Sequence, residues 1–378
     1  MYFNLYLPSG SAPPAGWPVV ILGATGSSDK EVGTLRSVAT MAERGIATIA
    51  INPPGHGLGP LGTLIVNRST GPVTLPSGGR GRDVSGDHVI RAGEGYNADD
   101  RRILGRDGAQ QAAADLVQLV RIIQLGVDID GDTIPDLDPS RIYYHGRSNA
   151  GGFGTLFMAI EPDVRVGIIA VAGGSVRDVG TWSPVQRFGG QHLEATGRSY
   201  LINPPGITHL DGVLVTTPPH VDENRPLRNG VPYVARLQDG TTRTISSPTI
   251  NTVAGALAIQ EVWERFEWIQ MAGDPLGYAS HLRKDPLAGV PAKTMLLQIA
   301  KGDPNVPNPT NTALIRAGDL ADRTTYYRHD LAFAESPAVG KNPHGFAGWL
   351  IFPDPIMAAI GFGSQRQLAT FLASDGAI

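Results

Sequence analysis

Apolar residues follow two rhythms along this chain. Five short runs rich in β-branched side chains, at residues 19–23, 47–52, 141–146, 166–172 and 294–300, have the length and composition of buried strands. Between them, residues 31–44 and 108–124 carry apolar side chains at helical spacing, with Leu116, Leu119, Val120 and Ile123 on one face of the second segment. Gly45 stands where a C-cap would end the first helix. A parallel strand pair needs a long crossover, and a helix supplies it. The alternation therefore predicts an α/β fold with a mostly parallel central sheet flanked by helices.

After Gly174 the alternation stops. As far as about residue 291 the chain is rich in Pro and Gly, with a hairpin pattern at 233–246 and an amphipathic helical pattern at 252–271 that carries Val262, Phe266 and Ile269. The break predicts a core formed by residues 1–185 and 290–378, with 186–289 inserted as a cap or lid.

Composition narrows the picture. With 41% hydrophobic and 17% charged residues the chain can fill a large core and is not of the disordered class. A net charge of -4 without a basic stripe excludes the usual electrostatic footprint of nucleic-acid binding. The absence of cysteine removes disulfides, thiolate metal sites and a cysteine nucleophile. No apolar run is long enough for a transmembrane helix, and the opening MYFNLYLPSG lacks the basic and apolar regions of a signal peptide. A cytoplasmic chain and a secreted chain whose leader has been removed are both consistent with that start. Oligomeric state is not encoded in any feature of the sequence.

Chemistry concentrates in RIYYHGRSNAGGFGTLF, where a strand pattern runs into Gly146-Arg147-Ser148-Asn149-Ala150-Gly151 and then into a helical pattern. A serine on a sharp strand-to-helix turn needs small residues two before and two after it, because the turn crowds neighbouring backbone. Gly146 and Ala150 meet that need, although Ala150 stands where G-x-S-x-G has its second glycine. A serine hydroxyl needs a base to take its proton, and the base needs an acid to fix its tautomer. On α/β sheets these partners follow in the order acid, then histidine. Asp303 comes directly after the 294–300 strand, and His344 lies in the loop NPHGFAGW before the last helical pattern. Asp330, Asp354 and His329 are the rivals, with His281 and the insertion histidines His192, His209 and His220 ranked lower. An oxyanion hole is expected from the N–H of Asn149 and a second donor in the turn after the first strand, at Ala24 or Thr25.

Several segments resemble large bacterial α/β-hydrolases of the lipase and esterase type: PVVILGATGSSDKE, AINPPGHGLGPLGT, DLDPSRIYYHGRSNAGG, EPDVRVGIIAVAGG and KGDPNVPNPTNTALIRAG. The likeness covers most of the chain and extends to virulence-factor lipases and secreted polyester-degrading esterases. It implies an α/β-hydrolase fold, a Ser148, His344 and Asp303 triad, and hydrolysis of small-molecule or polymeric esters with no cofactor required for catalysis.

Two other readings compete. Gly23 and Gly26 after a strand suggest a dinucleotide turn and hence an oxidoreductase, but Asp29 stands in the third glycine position and Asn52 where an acidic ribose ligand belongs. Two acidic loops have calcium-ligand spacing. One offers Asp83, Ser85, Asp87, the Val89 carbonyl and Glu94 at positions 1, 3, 5, 7 and 12, with His88 where the turn glycine belongs. The other offers Asp128, Asp130, Asp132, Asp136 and Asp138. They predict a structural Ca²⁺, which would favour a secreted, periplasmic or cell-surface setting, or else a calcium-binding protein that is not an enzyme.

Overall fold

A computed structural model describes residues 1–26, 28–31, 37–84, 86–94, 101–183, 185, 209–210, 213–214, 233–245 and 256–377. The chain divides into two compact units, Met1–Ser175 with Met271–Ile378, and Val176–Gln270. In chain order the larger unit begins with β1 (Phe3–Tyr6), β2 (Trp17–Leu22), α1 (Val38–Ala42), β3 (Ala47–Ile51), β4 (Thr63–Arg68), β5 (Gly71–Pro76), α2 (Arg101–Leu125), β6 (Leu137–Arg147), α3 (Asn149–Ile160) and β7 (Val166–Ala170). The smaller unit holds α4 (Val176–Trp182), β8 (His209–Leu210), β9 (Val213–Leu214), β10 (Tyr233–Arg236), β11 (Thr242–Ile245) and α5 (Ala256–Gln270). The larger unit resumes with α6 (Pro275–Arg283), β12 (Thr294–Ala300), α7 (Asn308–Gly318), β13 (Thr324–Tyr327), α8 (His329–Glu335) and α9 (Pro355–Ala373).

Seven strands form one sheet in the order β1-β3-β2-β6-β7-β12-β13, parallel throughout except for β1, which runs antiparallel to β3. Helices cover both faces, which is why the inner strands read as continuous apolar runs. On one face Val19, Ile21, Ile142, Tyr144 and Ile169 pack with Leu116, Leu119 and Ile123 of α2 and with Phe153 and Phe157 of α3. On the other, Val20, Tyr143, Ile168 and Leu296 meet Met41 of α1 and Leu368, Phe371 and Leu372 of α9. Parallel pairing brings the carboxyl ends of β2, β3, β6, β7, β12 and β13 to one edge of the sheet, where α/β folds carry their sites.

All five strand runs read from the sequence are strands of this sheet. Helix α2 starts at Arg101, seven residues before the predicted 108, and α1 covers 38–42 of the predicted 31–44, with 32–36 outside the described residues. Helix α6 lies in the larger unit, whereas the sequence pattern put residues 275–283 in the insertion. It buries Ala279 and Leu282 in the main core against α3. In the smaller unit β10 and β11 pair as a hairpin, and α5 buries Val262, Trp263 and Phe266. Arg177 of α4 pairs with Glu267 of α5 at 2.8 Å. No described helix is long and apolar enough to cross a membrane.

Candidate active site

Strand β6 ends at Arg147 and α3 begins at Asn149, so the single residue Ser148 makes the whole turn. It does so at φ 55° and ψ -125°, a conformation that strains any residue with a Cβ and is held by the packing around it. Ser148 N–H donates to Ala170 O of the neighbouring strand end at 2.8 Å, and Ser148 O accepts from Gly151 and Gly152. A side chain at Gly146 would collide with the Ala150 carbonyl, and one at Gly151 would lie 2.6 Å from the Ala172 side chain. Ala150 is fully buried, so its extra methyl group is accommodated. The space is made by Gly23, where a Cβ would stand 2.7 Å from that of Ala150.

Pattern reading missed Tyr144, which clamps this turn from below. Its ring is fully buried, and its hydroxyl donates to Ala150 O at 2.6 Å, tying the strand to the first turn of α3. Gly154 leaves room for that ring one turn later. Gly23 and Gly146 likewise leave room for the hydroxyl, and the meaning of these small residues shows only once strand and helix are seen to pack.

Asp303 follows β12 by three residues and is buried. Its Oδ1 accepts from Asn305 N–H at 2.8 Å and Val306 N–H at 3.1 Å, which leaves Oδ2 for His344 Nδ1 at 2.8 Å. His344 Nε2 lies 2.9 Å from Ser148 Oγ. The histidine loop is fixed by Asn342, whose Oδ1 accepts from His344 N–H at 3.0 Å and whose Nδ2 donates to Asn305 Oδ1 at 2.8 Å. Beneath it Phe346, Ala347 and Trp349 pack with Val171 and Ala300 from two strand ends. Three separate loops thus meet in one chain of hydrogen bonds.

This is the α/β-hydrolase fold. No family model matches the chain, and no curated protein matches it in sequence. Among solved structures it is similar to a 2,6-dihydroxy-pseudo-oxynicotine hydrolase, with 12% identity and a TM-score of 0.43 over 98% of this chain and 63% of that one. It is similar to a monoacylglycerol lipase of Paleococcus ferrophilus, with 14% identity and a TM-score of 0.42 over 99% of each chain. It is also similar to an acylaminoacyl peptidase of Pyrococcus horikoshii, with 11% identity and a TM-score of 0.45 over 98% of this chain and 38% of that one. The chain therefore spans less than two thirds of the first and little over a third of the last. Likenesses this distant carry no activity over to the hydrolase fold described here.

The turn after β2 lies against the elbow, with Gly26 close to the Asn149 side chain. Thr25 N–H donates to Ser28 Oγ at 2.9 Å, whereas Ala24 N–H and Asn149 N–H donate to no described acceptor. The turn is backed by Gly93, whose φ of 79° and contact with the Gly26 carbonyl leave no room for a side chain. It is also backed by His56, whose ring faces the Pro54 and Thr25 carbonyls and whose pKa burial pushes down.

The rival residues are engaged elsewhere. Asp330 accepts from Arg328 and Lys301, which hold its carboxyl well below the usual range. His329 Nε2 faces Gly340 O at 3.0 Å within a cage of Tyr327, Phe333 and Trp349. Asp354 caps α9, and His281 Nδ1 faces Asp285 O. His192 and His220 lie outside the described residues, as does the side chain of His209.

The acidic loops gather part of their predicted sets. Carboxylate oxygens of Asp83, Asp87 and Glu94 lie within 4.8 Å of one another, as do those of Asp128, Asp130 and Asp132. Ser85 lies outside the described residues, Val89 gives its N–H to Asp87, and Asp87 also pairs with Arg91 at 2.7 Å. Asp136 turns to Ile129 N–H and the buried Asp138 accepts from Ser140 N–H and Oγ, so neither joins the second cluster.

Proposed function

We propose that this protein is a serine hydrolase acting on carboxylic esters, with Ser148 as nucleophile, His344 as base and Asp303 as the acid that orients it. The single observation that supports it is the hydrogen-bonded line from Asp303 through His344 to Ser148. In this reading His344 Nε2 takes the Ser148 proton as Oγ attacks the ester carbonyl. The oxyanion of the tetrahedral intermediate accepts from the N–H groups of Asn149 and Ala24. Collapse expels the alcohol, which receives the proton from His344, and leaves an acyl-serine. Water, deprotonated by the same histidine, then attacks the acyl-serine, and collapse releases the acid as His344 returns the proton to Ser148 Oγ. Asp303 stays ionised and stabilises the imidazolium at each step.

No cofactor takes part in these steps. The polymer-hydrolysing and lipase-type specificities, and the role of residues 186–289 as a lid, belong to the same proposal. So do a structural Ca²⁺ in the acidic loops and an extracellular or periplasmic setting. A fluorophosphonate probe should label Ser148 alone, and Ser148→Ala should lower kcat on p-nitrophenyl esters by about 10⁵-fold or more while the fold is kept. Full turnover by that variant would refute the proposal.

A further inference from the structure

Strands β4 and β5 form a hairpin outside the seven-stranded sheet. Their register sets Leu64 opposite Leu75 and Val66 opposite Val73, so one face of the hairpin carries four aliphatic side chains. None of the four belongs to a core cluster, and no other described element packs broadly on either strand. On that face Leu75 is 46% exposed, and in the chain leading into the arm Leu61 is 94% and Leu58 60% exposed. A two-stranded hairpin is marginal in water by itself, and an apolar patch on such an arm marks a surface that something covers. At the base of the arm a cavity of about 670 Å³ is lined by Pro54, Pro60, Arg82, Val84 and Leu104 among others.

Charge indicates what covers it. No carboxylate occurs between Glu43 and Asp83, although the chain has 35 Asp and Glu in 378 residues, about one in eleven. The same stretch holds Arg44, Arg68, Arg80 and Arg82. Arg80 pairs with Asp115, while Arg68 and Arg82 are exposed and make no ion pair with a described residue. A second copy fits this face poorly. Pro72 and Pro76 remove donors from β5 and blunt its edge against strand pairing, and a two-fold contact would set arginine against arginine. A layer of anionic amphiphiles satisfies both the aliphatic face and the cations.

We propose that the β4–β5 hairpin docks the protein on an anionic lipid surface, with its aliphatic face in the acyl boundary and Arg68 and Arg82 at the headgroups. The inference goes beyond the hydrolase reading and does not rest on it. The full chain carrying Ser148→Ala, which leaves lipid unconsumed, is sedimented with phosphatidylcholine vesicles with and without phosphatidylglycerol. Binding is expected with phosphatidylglycerol and reduced without it. Leu61→Asp with Leu75→Asp, and separately Arg68→Glu with Arg82→Glu, should each weaken it by at least ~10-fold, with circular dichroism showing an intact fold. Absence of binding, binding indifferent to both variants, or a dimer that the leucine variant dissociates would each overturn the proposal.

Discussion

Two neighbouring strands end side by side at the carboxyl edge of the sheet, and each is followed three residues later by an aspartate. Ala300 of β12 pairs with Tyr327 of β13, and Asp303 and Asp330 follow them. The residue type and the offset are the same, but the surroundings are not. Asp303 is buried, with one oxygen held by two backbone N–H groups and the other turned to His344. Asp330 is more open to solvent, and Arg328 and Lys301 occupy its oxygens. Asp330 is nearer His344 in sequence, yet it is Asp303 that reaches the imidazole. Loop path and burial select the partner, and proximity along the chain does not.

The sharpest way to break that comparison is to neutralise Asp303. On the proposed mechanism Asp303→Asn should lower kcat at least ~10³-fold with little change in KM, because an amide in its place would neither fix the productive tautomer nor stabilise the imidazolium. Steady-state kinetics on a soluble ester checks it.

A second test moves to the elbow that His344 faces. Tyr144→Phe removes the donor to Ala150 O in a buried site and should cost about 1–3 kcal/mol of stability, read from denaturant midpoints. A variant as stable as the parent would show that the clamp contributes nothing.

Burial acts on a base as well as on an acid. Neither ring nitrogen of His145 has a hydrogen-bond partner among the described residues, and burial, aided by Arg147, pushes its pKa down to about 3 from 6.5. The unfolded chain therefore binds the extra proton first, so the contribution of neutral His145 to stability is full above pH 6.5 and is lost as pH falls towards 3. His145→Leu should flatten the acid limb of the melting-temperature profile, and an unchanged limb would assign acid lability elsewhere.

The smallest effect is expected at Asp330. Its pairs with Arg328 and Lys301 are solvent-accessible, and such pairs contribute little. Asp330→Asn should leave kcat within ~10-fold and the melting temperature nearly unchanged. A loss comparable to that of Asp303→Asn would make the two strand ends equivalent.

By itself the sequence determined the strands, the serine turn and the order of the three polar residues, since each is written in a local pattern of period, small residues or strand ends. Period and turn chemistry act over a few residues, so they survive without tertiary context. The tertiary structure decided everything that depends on distant segments meeting. It placed Asp303 on His344 across 41 positions, put Tyr144 under Ala150, assigned α6 to the core, and gave Thr25 N–H to Ser28, which favours Ala24 over Thr25 as the proposed donor. It also turned Asp136 away from the acidic cluster and left the β4–β5 hairpin outside the sheet. These outcomes depend on which side chains fill a shared space, and packing in three dimensions, unlike periodicity, is not carried by any short stretch of the chain.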